Sequence, residues 1–222
     1  MAGFLDLLKP ADRDEMLRGS SRIHYPAGAT YRQEAGAPIA LVVESGLIRI
    51  FVSAEDGRQA SVAYFHPGDT YAALEEIPTG PANLQALADS NILVLDPRNL
   101  ARLVTQNYAV GEAAIRILGR ELARLVRVIT VRSLGSMTER LAFDLLERAS
   151  DAQLREGELI CRATHEQLAD SIGSTREVVS RILANLRRRR LVVTARGHVR
   201  VTDVSRLSWI VHGVLGTEGS AD

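Results

Sequence analysis

Cysteine occurs once, at Cys161, in a chain of 222 residues. A lone thiol cannot close an internal disulfide, and it cannot furnish a cysteine-rich zinc cage or an iron–sulfur cluster within one subunit. Lysine is just as scarce: Lys9 stands alone among 27 basic residues, the rest being arginine. No net charge is left over, since 27 acidic residues balance the basic ones. No apolar run approaches the roughly eighteen residues of a membrane span, and no basic segment followed by an apolar one opens the chain, so neither a span nor a secretory signal is expected. The expected location is cytoplasmic. Equally absent are a nucleophile beside a histidine and an acid, a cluster of metal ligands, and a glycine-rich phosphate loop, which argues against an enzyme. The 46% apolar content suffices for one large or two ordinary domains.

What the chain does have is concentrated in residues 164–190, THEQLADSIGSTREVVSRILANLRRRR. Thr164 with Gln167 three positions on forms a reciprocal capping pair, followed by the apolar face Leu168, Ala169 and Ile172. Gly173 supplies a tight turn, and Ser174 with Glu177 repeats the capping pattern. Val179, Ile182, Leu183 and Leu186 then recur at helical spacing, so one stripe is buried and the opposite side is wet. Two caps this close predict a sharp helix-turn-helix. The wet side carries Glu177, Ser180 and Arg181, with Arg176 at its edge in the first turn, where a recognition helix meets base edges in the major groove. Arginine can fork onto guanine O6 and N7, and glutamate can accept from the cytosine amine.

On an ordinary amphipathic helix the same residues would be a cap and a solvated face. The surrounding charge favours the sharper reading. From Arg176 to Arg206 nine arginines face two acids, Glu177 and Asp203, in a chain with no net charge; such a patch suits phosphate. Leu191 to Ala195 and His198 to Thr202 read as two short strands turning at Arg196-Gly197, a wing whose Arg196, His198 and Arg200 would hold the DNA backbone.

The segment resembles the DNA-binding domain of the cyclic-AMP receptor protein and fumarate-nitrate regulator family, whose signature is similar to STREVVSRIL here. Members that read a TGTGA half-site have Arg, Glu and Arg at the positions of Arg176, Glu177 and Arg181. Members that read TTGAT have Glu, Ser and Arg at Glu177, Ser180 and Arg181. This chain satisfies both patterns, so the resemblance implies the shared TGA core and leaves the first two bases open. It also implies a homodimer on a near-palindromic site of double-stranded DNA, backbone contacts from Thr138, Thr164 and Thr175 besides the wing, and RNA polymerase as a further partner.

The first hundred residues alternate short apolar runs with turns at Gly28, Gly36, Gly46, Gly57 and Gly68, the signal of an antiparallel sandwich or roll. Leu47 to Val52 suits a strand with one buried face. A helix is expected only in the opening segment, around Phe4 to Arg18, before residue 98. The order of turns resembles the family's β-roll. The overall expectation is an α+β chain: a cyclic-nucleotide-binding-like roll at 1–106, a dimerisation helix and hinge at 107–135, a winged helix-turn-helix at 136–212, and a loose tail at 213–222.

The resemblance does not extend to the cyclic-AMP contacts. The family's ribose-binding glutamate falls on Ala73, and its phosphate-binding arginine on Ala82, or on Asn83 if the loop is a residue longer. The threonine-serine pair that reaches adenine falls on Leu125 and Val126. No lysine or arginine lies between Arg58 and Arg98, and a buried phosphodiester without a cation lacks its main compensation. An effector pocket, if used, is expected around Tyr71, Ala73, Leu74, Ala82, Asn83, Leu122 and Leu125, with Glu75, Glu76 and Gln85 nearby. His24 and His66 could ligate haem, but ordinary structural histidines are the simpler reading. The effector is unknown. The alternatives left open are a haem- or ligand-sensing module that gates DNA binding, and a small-molecule-binding protein with no DNA activity.

From Asn107 to Leu134 runs a helix whose Gly111, Ile115, Leu118, Leu122, Leu125, Ile129 and Arg132 follow the alternating spacing of a coiled-coil seam. Pairing of two chains through residues 107–134 is expected. Gly135 then breaks the helix, and Ser136 with Glu139 caps the next one, placing a joint between sensor and DNA head.

Overall fold

The computed structural model describes residues 3–32, 38–53, 59–73, 83–149 and 159–215. The chain divides into two units, one of Met1–Val52 and Ser61–Arg124, the other of Ser53–Ala60 and Leu125–Asp222.

The first unit begins with a short turn of helix and α1 (Pro10–Met16). The strands follow: β1 (Ser21–Tyr25), β2 (Thr30–Arg32), β3 (Ile39–Ser45), β4 (Ile48–Ser53), β5 (Gln59–Phe65), β6 (Thr70–Ala73), β7 (Asn83–Ala86) and β8 (Ser90–Val94). They form two antiparallel sheets, ordered β1-β8-β3-β6 and β2-β7-β4-β5. β3 is apolar from Ile39 to Val43 because both of its faces are covered. Leu41 and Val43 point between the sheets with Ile48, Ile50, Leu84 and Ile92, while Ala40 and Val42 meet the helical side. There α2 (Pro97–Gln106) and the start of α3 (Tyr108–Leu134) supply Leu100, Leu103, Val110 and Ala113. Gly46 closes the β3–β4 turn at φ +92°, and a Cβ there would run into Asp89 and Ser90. Gly36 and Gly57 lie outside the described residues.

Two expectations need correction. β4 is not buried on one face only: Ile48, Arg49, Ile50 and Phe51 are all buried. The arginine is tolerated because Nε donates to Ser61 Oγ at 2.7 Å, a second nitrogen donates to Gln85 Oε1 at 3.2 Å, and the guanidinium lies over the Phe51 ring. The opening helix is also shorter than the segment from Phe4 to Arg18, because Pro10 starts α1 and Leu17 ends it.

The second unit holds α4 (Met137–Ala149), β9 (Leu159–Cys161), α5 (His165–Ile172), α6 (Arg176–Arg188), β10 (Val192–Ala195), β11 (His198–Val201) and α7 (Val204–Leu215). Ser136 and Glu139 cap α4 reciprocally, as expected. The wing is a three-stranded sheet, β10-β11-β9, with Leu159 to Cys161 as the strand that three apolar residues could not announce. Cys161 is buried, and burial pushes its thiol up to about 12, so it packs as an inert hydrophobe. α7, also unannounced, seats Leu207 and Val211 on the same core as Leu141, Leu145, Leu168 and Leu183. It continues to Leu215, into the stretch expected to be a tail. Among the described residues no helix is long and apolar enough to cross a membrane.

Candidate nucleic-acid interface

The helix-turn-helix is built as its caps dictate. Thr164 Oγ1 accepts from the Gln167 backbone N–H at 3.2 Å, and Gln167 Oε1 accepts from the Thr164 N–H at 2.9 Å. Gly173 ends α5 in the left-handed region at φ +67°. The second cap sits one residue later than the Ser-x-x-Glu pattern suggests. Thr175, not Ser174, is the N-cap of α6, and its hydroxyl oxygen accepts from the Val178 N–H. Ser174 is instead tied by its own N–H to the Ala169 carbonyl, inside the turn.

Burial of Val179, Ile182, Leu183 and Leu186 fixes which way α6 faces. Arg176, Glu177 and Arg181 are consequently exposed, and Ser180 is half-buried. The Glu177 carboxylate is held below the usual carboxylate range by its own backbone N–H first, then by the Thr175 hydroxyl, with the Arg176 charge adding to both. The carboxylate is thus drawn toward the first turn of its own helix while remaining exposed.

Ser180 is engaged in a way that sequence spacing did not reveal. Its Oγ lies 2.8 Å from Nδ1 of His165, the first residue of α5. No periodicity links those positions; the crossing of the two helices does. A serine hydroxyl by itself can donate or accept toward a base. Where Nδ1 accepts, the hydroxyl is left as an acceptor only; where Nδ1–H donates, the hydroxyl keeps its own donor and a lone pair, so the ring proton decides whether Ser180 can still donate.

The remaining expected contacts spread across the second unit. Thr164 is exposed at the start of α5, its hydroxyl hydrogen still available to a phosphate oxygen. Thr138 is half-buried in the first turn of α4. Arg196 is exposed at the wing turn, while His198 and Arg200 are half-buried on β11. The run Arg187 to Arg190 is exposed throughout, with Arg190 at φ +58° where the chain leaves α6 for β10.

A chain with this geometry is similar to known DNA-binding regulators. Residues 139–209 match the Crp-like helix-turn-helix domain, and residues 22–107 match the cyclic nucleotide-binding domain. The transcriptional regulator LdrP of Thermus thermophilus is 31% identical over 175 residues, spanning 74% of this chain and 83% of that protein. The chain belongs to the cyclic-AMP receptor protein and fumarate-nitrate regulator (CRP/FNR) family. It is a DNA-binding transcriptional regulator of a family that is not one of enzymes. The Cyclic AMP receptor protein of Thermus thermophilus is 27% identical over 212 residues, covering 93% of this chain and 95% of its own. A solved CRP-family regulator from the same organism superposes with a TM-score of 0.69 at 27% identity, over 90% of this chain and all of its own.

In the CRP/FNR roll, Tyr71 is half-buried, edge-on to Phe65 with ring centroids 6.0 Å apart. The Asn83 amide donates to the Phe51 carbonyl. Leu122 is exposed on α3, as is Leu125. Leu74 and Ala82 lie outside the described residues, as do Glu75, Glu76 and the Ala73 side chain. A cation from outside the stretch between Arg58 and Arg98 reaches the roll: Arg124 of α3 donates to the Tyr64 carbonyl and lies over the Phe65 ring. His24 is exposed and bonded to Asn91, and His66 is buried in its turn. Among the described residues no group of three or more His, Cys, Asp or Glu is placed to hold a metal ion.

Proposed function

We infer that this CRP/FNR regulator acts as a homodimer, paired through α3, that lays its two α6 helices in successive major grooves about 34 Å apart on a near-palindromic site. Arg176, Glu177 and Arg181 read bases, Ser180 assists, and Thr138, Thr164, Thr175, Arg196, His198 and Arg200 hold the backbone. The observation that supports this reading most directly is that the buried stripe of α6 leaves Arg176, Glu177 and Arg181 together on its outer side. The half-site carries a TGA core, as in TGTGA or TTGAT. Cyclic AMP fits the roll poorly as an effector, because Ala73, Ala82 or Asn83, Leu125 and Val126 stand where that nucleotide's glutamate, arginine, threonine and serine partners would be.

Selection of binding sites from a randomised duplex pool by the full-length protein tests both levels. The expected result is an inverted repeat with TGA cores, bound with an affinity that falls steeply as salt rises, since phosphate neutralisation releases counterions. Enrichment of no sequence, or binding insensitive to salt, overturns the reading.

A further inference from the structure

Beyond DNA binding, we propose that the roll captures a small, neutral, largely apolar molecule, of the size of a one- or two-ring aromatic compound, in a cavity between its two sheets. The cavity has a volume of about 240 Å³ and is open to solvent on one side. Tyr25, Leu41 and Ile92 wall it from one sheet, and Tyr31, Ile48 and Leu84 from the other. It is separate from the pocket expected around Tyr71 and Asn83, neither of which lines it.

Three observations point to the class of ligand. Protein interiors are packed as densely as organic crystals, so a void of many water volumes between two sheets is an exception that a bound molecule accounts for. Water is a poor occupant, because it needs two to four polar partners and apolar cavities of even about 150 Å³ stay dry while admitting benzene. The lining disfavours charge as well: among the described residues that line the cavity none is acidic or basic, and an ion among them would lose its hydration without a partner. The side-chain polar atoms of the lining are the phenol oxygens of Tyr25 and Tyr31. Burial first, and Tyr31 second, raise the Tyr25 hydroxyl, consistent with two phenols sharing one opening. They suit a ligand carrying a single hydroxyl or N–H. Ile23 and Tyr31, 41% and 37% exposed, form the rim through which it enters. Pro97, the first residue of α2, is also in the lining, so an occupant bears on the helix whose Leu100 and Leu103 pack against Val110 and Ala113 of α3.

Fluorine NMR of the full-length protein with para-fluorophenol and para-fluorobenzoate tests the inference. The phenol signal is expected to broaden and shift and to be displaced by indole, while the anionic benzoate binds at least about tenfold more weakly. Ala86→Leu, which fills the cavity from β7, is expected to abolish phenol binding. Should that variant lose its circular dichroism signature, Tyr31→Trp at the rim plugs the entrance without loading the interior. No phenol binding, benzoate binding of equal strength, or unchanged binding by the folded variant overturns the proposal. Ligand capture belongs to the roll alone, so its outcome is independent of any result with DNA.

Discussion

At the scale of single residues, the proposed reading divides the second unit into side chains that identify a sequence and side chains that hold a polyanion, and the two classes are expected to fail differently. Arg181→Ala removes an exposed guanidinium that lies off the buried stripe, so stability stays unchanged. Specific binding is expected to weaken by about 1–3 kcal/mol, with one base position relaxed. Arg196→Ala at the wing turn is expected instead to weaken all sequences alike and to lower the salt slope by about one. Competition titrations against single-base variants of the selected site separate the two. Ser180 and His165 act as a pair. If the imidazole fixes the polarity of the hydroxyl, His165→Ala and Ser180→Ala relax selection at the same base pair, and the double variant relaxes it no further. His165→Asn, whose amide stands where Nδ1 stood, restores part of the preference. Uniform weakening by His165→Ala, with base preference intact, would reduce that histidine to a backbone contact.

At the scale of elements, what was legible in the sequence followed from local rules. The caps of α4 and α5, the buried stripe of α6 and the turn at Gly197 are each decided within a few residues. What was not legible depends on partners distant in the chain. β9 is three residues long and exists because Cys161 and Val199 pair across the wing. Arg49 looks like the polar side of a half-exposed strand until Ser61 and Gln85 are found around it. The same holds for Asp144, an acid in the middle of α4 that is 5% exposed. Its Oδ2 accepts from Arg148 Nε at 2.8 Å and from Ser171 Oγ at 2.7 Å, joining α4 to α5. Asp144→Ala removes the carboxylate that neutralises a buried guanidinium, leaving the Gln167 carbonyl as an acceptor, and denaturant unfolding is expected to show a loss of about 3 kcal/mol. Arg190 is the opposite case. Its left-handed backbone strains any side chain, so Arg190→Gly is expected to be neutral or to stabilise by up to about 1 kcal/mol. A destabilised Arg190→Gly variant would show that the guanidinium contributes contacts that offset the strain.

At the scale of the whole molecule, the proposed pairing rests on α3. Over its 27 residues, Ile115, Leu118, Leu122, Leu125 and Ile129 are 72%, 68%, 64%, 37% and 62% exposed, at coiled-coil spacing. Each Leu or Ile taken out of water contributes about 1.5–3 kcal/mol, and a self-complementary stripe of five per chain exceeds what isolated surface residues need as explanation. Leu122 lies at the centre of that stripe. In a dimer Leu122→Asp sets two carboxylates near one another in an apolar seam, while in a lone chain it places one carboxylate in solvent. The variant is therefore expected to keep the thermal stability of the roll and to sediment as a monomer at concentrations where the parent is a dimer, a shift of at least about a hundredfold in dissociation constant. Loss of the dimer removes the linkage between half-sites. Binding to an inverted repeat should then fall to that of a single half-site, while the base preferences set by Arg176 and Arg181 persist. A Leu122→Asp protein that still sediments as a dimer and still favours the full repeat would place the pairing surface elsewhere on the chain.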